Sequence, residues 1–159
     1  NHKFMAYYIS RKLKMPFREV VTKITETLQQ QGFGIITTID LKETFKKKLN
    51  TNFRNYTILG ACNPQFAYNA ISLESHIGVM LPCNVVIQEH ENGEVEVSAI
   101  NPIETVGRGD NNTPLRDLAA AVSDRLRIAV DDVQRENPEP HHTEALPGAR
   151  ETITIAGEE

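Results

Sequence analysis

Apolar positions along this chain alternate between two rhythms. Tyr7 to Leu13 is a short, β-rich run that stops at Met15-Pro16, where proline suits the first turn of a helix because it has no amide hydrogen to lose there. From Phe17 onward Val20, Val21, Ile24 and Leu28 recur at spacings of three and four, which makes one buried helical stripe, and Gly32 and Gly34 permit a sharp exit. Ile35 to Ile39 reads as a second strand. Asp40, followed three residues later by Glu43, has the form of a capping box that opens a short helix through Leu49, and the periodicity assigns Phe45 to the core.

The rhythm then repeats. Tyr56 to Ala61 has strand length, and Asn63-Pro64 supplies a helix cap and first helical residue, with Phe66, Ala67, Ala70 and Ile71 as the inward stripe. Ile77 to Glu89 is too long for one strand and contains Gly78 and Pro82, so the strand is expected to begin after Pro82. Asn92-Gly93 favours the positive backbone angles of a tight hairpin, and Glu94 to Ala99 alternate as a half-exposed antiparallel strand should. Ile103 to Thr113 reads as a loop, after which Pro114 opens a last helix with the stripe Leu115, Leu118, Val122, Leu126, Ala129 and Val133. The expected fold is a single small α+β domain in the order β-α-β-α-β-α-β-β-α, with helices packed on a mixed, mostly antiparallel sheet of about five strands.

Composition sets the limits of that domain. At 159 residues, 40% apolar and 24% charged, the chain has the profile of one soluble globular unit. Beyond Val133 it turns polar: residues 134–159 hold six acids against two arginines, and read as an acidic tail, partly disordered or docked as a short strand. Residues 1–133 form the domain. No apolar run approaches a membrane span, and Asn1-His2-Lys3-Phe4-Met5 lacks the apolar stretch of a signal peptide, so a cytosolic protein without a membrane partner is expected. Charge is unevenly placed, with 11 Lys+Arg against 4 Asp+Glu up to residue 54 and 6 against 17 after it. Opposite halves can pair within one fold. Lys42, Lys46, Lys47 and Lys48 could touch phosphates, yet a solvated amphipathic helix explains the same residues with no ligand, and residues 1–133 balance at 15 against 15, so no nucleic-acid partner is expected.

Little of the chain advertises chemistry. Cys62 and Cys83 are its two cysteines and neither lies in a CxxC pair, which leaves no local dithiol or four-cysteine zinc motif. Their contexts are alike: Cys62-Asn63-Pro64 and Pro82-Cys83-Asn84. Cys62 should sit where a strand meets a helix, near unpaired amides that would lower its pKa and make it a candidate nucleophile. Inert, buried thiols are the alternative. His76, His90 and the pair His141-His142 lack metalloenzyme spacing, so a metal site would have to be assembled from Cys62, Cys83 and His76. Gly107-Arg108-Gly109 lacks the buried strand and the lysine of a phosphate loop and reads as a plain loop. No cofactor is implied.

The motifs Ile58-Leu59-Gly60-Ala61-Cys62-Asn63-Pro64 and Leu81-Pro82-Cys83-Asn84-Val85-Val86, with the order of elements around them, resemble the uncharacterised DUF 302 domain family from about Tyr7 to Val133. The resemblance implies a small cytosolic α/β domain of bacteria or archaea, often homodimeric, and no activity. Three readings follow. In the first, Cys62, Asn63, Cys83 and Asn84, with His76, line a pocket whose helix amides favour a small anionic or thiol-reactive ligand. In the second, Cys62 serves a thiol enzyme or redox sensor. In the third, the free edges of the sheet make a homodimeric interaction module.

Overall fold

In the computed structural model, which describes residues 6–106 and 112–134, the elements follow the expected order. Strand β1 (Tyr8–Leu13) leads into helix α1 (Phe17–Gln30), β2 (Gly34–Asp40) into α2 (Leu41–Leu49), and β3 (Tyr56–Cys62) into α3 (Pro64–Leu73). A 3-10 turn (Ser75–Met80) then delivers the hairpin β4 (Cys83–Glu89) and β5 (Val95–Ile100), followed by one-turn helix α4 (Pro102–Thr105) and the long α5 (Thr113–Asp132). The sheet runs β1-β5-β4-β3-β2, and the antiparallel pairing expected of most strands holds at all four junctions. His141-His142, Gly107-Arg108-Gly109, and Ile153 and Ile155 lie outside the described residues.

Strand alternation divides the sheet into two unlike faces. Ile9, Leu13, Leu59, Ala61, Val85, Ile87, Val95, Val97 and Ala99 point to one side, where Val20, Ile24 and Leu28 of α1 and Leu126, Ala129 and Val130 of α5 close over them. Each fully buried aliphatic side chain there contributes about 1.5–3 kcal/mol. The other face carries cross-strand rows read directly from the register: Lys12, Glu96, Gln88 and Tyr56 in one, and Ser10, Ser98, Val86, Ile58 and Ile39 in the next. Ile39 at the β2 edge is 44% exposed.

Opposite charges do meet at the β1 side of the molecule. Arg11 lies 3.7 Å from the Asp131 carboxylate and donates to Gln134 Oε1 at 2.8 Å, while Lys12 stands opposite Glu96 in the register. The lysines of α2 are different: Lys47 pairs with Glu43 one turn earlier, and among the described residues Lys42, Lys46 and Lys48 enter no ion pair. No residue of α2 is buried, so Phe45 is not a core residue as its period suggested. It packs edge-on against Phe53, ring centroids 5.1 Å apart, and Phe53 rests in turn on Tyr56 of the outer face. The helix is hung on the sheet by an aromatic ladder.

Three other expectations need correction. Ile71 is exposed, because α3 is short and its last turn overruns the core. The segment from Ile103 is not wholly loop, since α4 begins at Asn101-Pro102 with the same Asn-Pro signal that opens α3. In the β4–β5 connection Gly93 alone takes a positive φ of 84°, and the turn is closed by Gly93 N–H donating to the His90 carbonyl at 2.9 Å. Asn92 instead accepts from the Glu94 amide, which makes a longer loop than a two-residue hairpin.

Candidate functional site

Cys62 is the last residue of β3, and Asn63 turns the chain into α3. The turn is a helix cap of the kind the sequence specifies: Asn63 Oδ1 accepts from Phe66 N–H at 3.1 Å and its carbonyl accepts from Ala67 N–H at 2.9 Å. Pro64 at the first helical position brings no N–H. Of the amides that would attract an anion here, one is therefore missing and another is already satisfied by the cap. Gly32 is pressed against the same junction. Its φ is +86°, and a Cβ there would stand 2.8 Å from Asn63 Nδ2, so both the backbone angle and the contact require glycine.

Cys83 opens β4 directly opposite Ala61 and is buried among the core residues. Cys62, Asn63 and Cys83 converge on one cavity of about 70 Å³ between the β3–β4 end of the sheet, α3, α4 and α5. Phe33, Phe66, Ala61, Ala70, Leu115 and Ala119 supply much of the remaining wall, which is almost entirely apolar. This environment acts on the thiols in the direction opposite to activation. Burial pushes Cys62 up from the ordinary thiol range, and Cys83 is pushed up to about 11, first by burial and then by the charge that Cys62 would carry. At neutral pH both are protonated, and the lowered pKa expected for Cys62 is not found.

Two of the predicted site residues stand elsewhere. Asn84, one position after Cys83, points to the opposite face of the sheet, where it borders a shallow groove with Tyr8, Tyr56 and Val86. A one-residue step along a strand reverses the side-chain direction, so the Cys83-Asn84 pair cannot serve one pocket. His76 lies at the start of the 3-10 turn with its side chain 91% exposed, Nδ1 2.9 Å from Glu74 Oε1. Among the described residues no three of His, Cys, Asp and Glu come together to hold a metal ion, which removes the site of Cys62, Cys83 and His76.

A polar cluster on the outer face escaped the sequence reading. Glu96 accepts from Ser10 Oγ, and its other carboxylate oxygen lies 2.9 Å from His90 Nε2. Partial burial raises the Glu96 carboxyl, but the bonds from Ser10 and His90 and the charges of His90 and Lys12 together outweigh it and hold the group below the ordinary range. Ser10 and Glu96 meet only because β1 pairs with β5, and no local spacing signals that.

Residues 9–133 match the family model described as "Domain of unknown function DUF302". The crystal structure of an uncharacterized conserved DUF302 protein from Bacillus stearothermophilus is similar with a TM-score of 0.74 and 26% identity, covering 80% of this chain and 98% of that one. No curated protein matches the chain. Among the described residues no helix is long and apolar enough to cross a membrane.

Proposed function

The chain belongs to the DUF302 family, and from that premise we propose that it is a binding domain whose inner cavity takes a small, uncharged apolar group, such as the end of an alkyl chain. One observation carries this reading: Cys62 with its neighbour, the capping Asn63, and Cys83 from the next strand border the same apolar space. Protonated thiols suit such a ligand, since they behave as small, polarisable apolar groups. Size narrows it further. A dry cavity of roughly 150 Å³ accepts benzene, and one of about 70 Å³ accepts something smaller. Xenon is the direct probe. Equilibrating the protein with xenon should shift the methyl NMR signals of Leu115 and Val122, and Ala119→Leu, which fills the space, should abolish those shifts while leaving the fold intact. Unshifted methyls in the wild-type protein would refute the reading.

A second reading, homodimerisation, is favoured by the sheet's outer face. Its central row of Ser98, Val86, Ile58 and Ile39 is flat and largely aliphatic, and α1 and α5 cover only the opposite face. A second copy laid on this row would bury it. Multi-angle light scattering is then expected to give twice the chain mass, reverting to the monomer in Val86→Lys; a wild-type monomer at all concentrations tested rules the dimer out.

A further inference from the structure

The apolar stripe of α2 does not reach the core: none of its residues is buried and Leu49 is 65% exposed. We propose that α2 is a docking surface for an anionic lipid bilayer, with Leu49 entering the headgroup boundary and the surrounding lysines contacting lipid phosphates.

The geometry follows from the helical period of about 100° per residue. Leu41 and Phe45, the two half-buried residues of the helix, face the protein, and Phe45 holds it to Phe53, which rests on Tyr56. Leu49 falls on the flank of that arc, and Lys42 and Lys46 follow it within roughly 60° around the helix axis. An exposed leucine is thus placed beside two ammonium groups, whose aliphatic stems can lie along an apolar surface while their charged ends reach phosphate. The same period puts Lys47, paired with Glu43, and Lys48 on other sides of the helix, roughly 100° or more from Leu49, so Lys42 and Lys46 are the lysines beside it. Asp40 and Glu43 oppose them only at the first turn, where Asp40 caps the helix by accepting from Glu43 N–H and Glu43 is paired with Lys47. Arg11 pairs with Asp131 and Lys12 stands opposite Glu96, whereas Lys42, Lys46 and Lys48 enter no ion pair among the described residues.

Lipid fits this surface better than nucleic acid does. The rings near it, Phe45, Phe53 and Tyr56, pack edge-on or tilted against one another, and Arg54 lies over Phe53 with its centre 4.4 Å from the ring, where a base would otherwise stack. Arg54 is also occupied by Gln88, to whose Oε1 it donates at 3.0 and 3.2 Å. The exposed apolar groups, Leu49 and Ile39, are aliphatic.

Cosedimentation of the 159-residue protein with two kinds of vesicle tests the proposal. Vesicles of phosphatidylcholine and phosphatidylglycerol in equal parts should bind it, pure phosphatidylcholine vesicles should not, and binding should fade as salt rises to about 0.5 M. Lys42→Glu with Lys46→Glu should weaken binding by at least about 25-fold, taking roughly fivefold for each of the two lysines lost. Leu49→Ser, at an exposed position that costs no core packing, should weaken it about three- to tenfold. Equal binding to both vesicle types, no binding to either, or an undiminished Leu49→Ser variant overturns the proposal. So does tighter binding to a short DNA duplex than to acidic vesicles, which would assign the lysines to nucleic acid.

Discussion

Leu126→Ala is expected to cost about 2–5 kcal/mol of unfolding free energy. Leu126 is fully buried in the middle of α5, the helix that touches α1, α3, β1 and β5 and so ties both ends of the chain to one layer. Removing its side chain leaves a hole that neither a helix packed on its neighbours nor a paired sheet can easily close. Urea unfolding should show a lower midpoint with an unchanged slope. Leu118→Ala on the same helix, where the side chain is only partly buried, provides the comparison and should cost visibly less. Equal losses at the two positions would mean that α5 does not pack through the face described.

Gly60→Ala should be almost as damaging, at about 1–3 kcal/mol, although the change adds a single methyl group. Gly60 is buried on the outer side of β3, where an added Cβ would overlap Thr37 Oγ1 and come within 2.9 Å of Pro82 Cγ. The strand was selected for closeness there, because β2 and the Pro82 segment both lean on it. Thr37→Ala lies at an exposed edge position and should be nearly neutral alone, yet it should recover part of the loss in the double variant. An alanine at 60 within about 0.5 kcal/mol of wild type, or a double variant with strictly additive costs, would show that the close approach does not exist.

How far the sequence reveals the molecule depends on the range over which each signal acts. Caps and prolines act over a few residues, and they located the starts of α3 and α5: Asn63-Pro64 is a true cap, and Pro114 falls in the first turn of α5, whose cap Asn112 lies in the stretch read as loop. The same signal at Asn101-Pro102 was overlooked because a Gly- and Asn-rich stretch followed it. Periodicity identifies which residues are amphipathic but not what they face. For α1 the stripe meets the core; for α2 a similar stripe leaves no residue buried, and its Phe45 packs on Phe53. The candidate site shows the same division. That Cys62 and Cys83 share a cavity follows from β3 pairing with β4 through Ala61 and Cys83, a register that spacing alone does not fix. The split between Cys83 and Asn84 was legible in principle, since alternation along any strand separates neighbours. The rise in the thiol pKa values was not, because it comes from walls contributed by α3, α4 and α5.

The sheet order has a consequence in time as well as in space. β1 is made first of the five strands, yet among the described residues its sole neighbour in the sheet is β5, and Leu13 must wait for Val95. During synthesis β2, β3 and β4 can assemble in turn with their neighbours, while Ile9 and Leu13 stay without a strand to pair with until the β4–β5 hairpin has emerged. The edge that closes last is therefore the earliest one made. Closing so long a loop is an entropic burden that local helix formation does not relieve. Refolding should be governed by the arrival of β1 beside β5, and substitutions at Ile9 are expected to leave the rest of the sheet formed while slowing the final step.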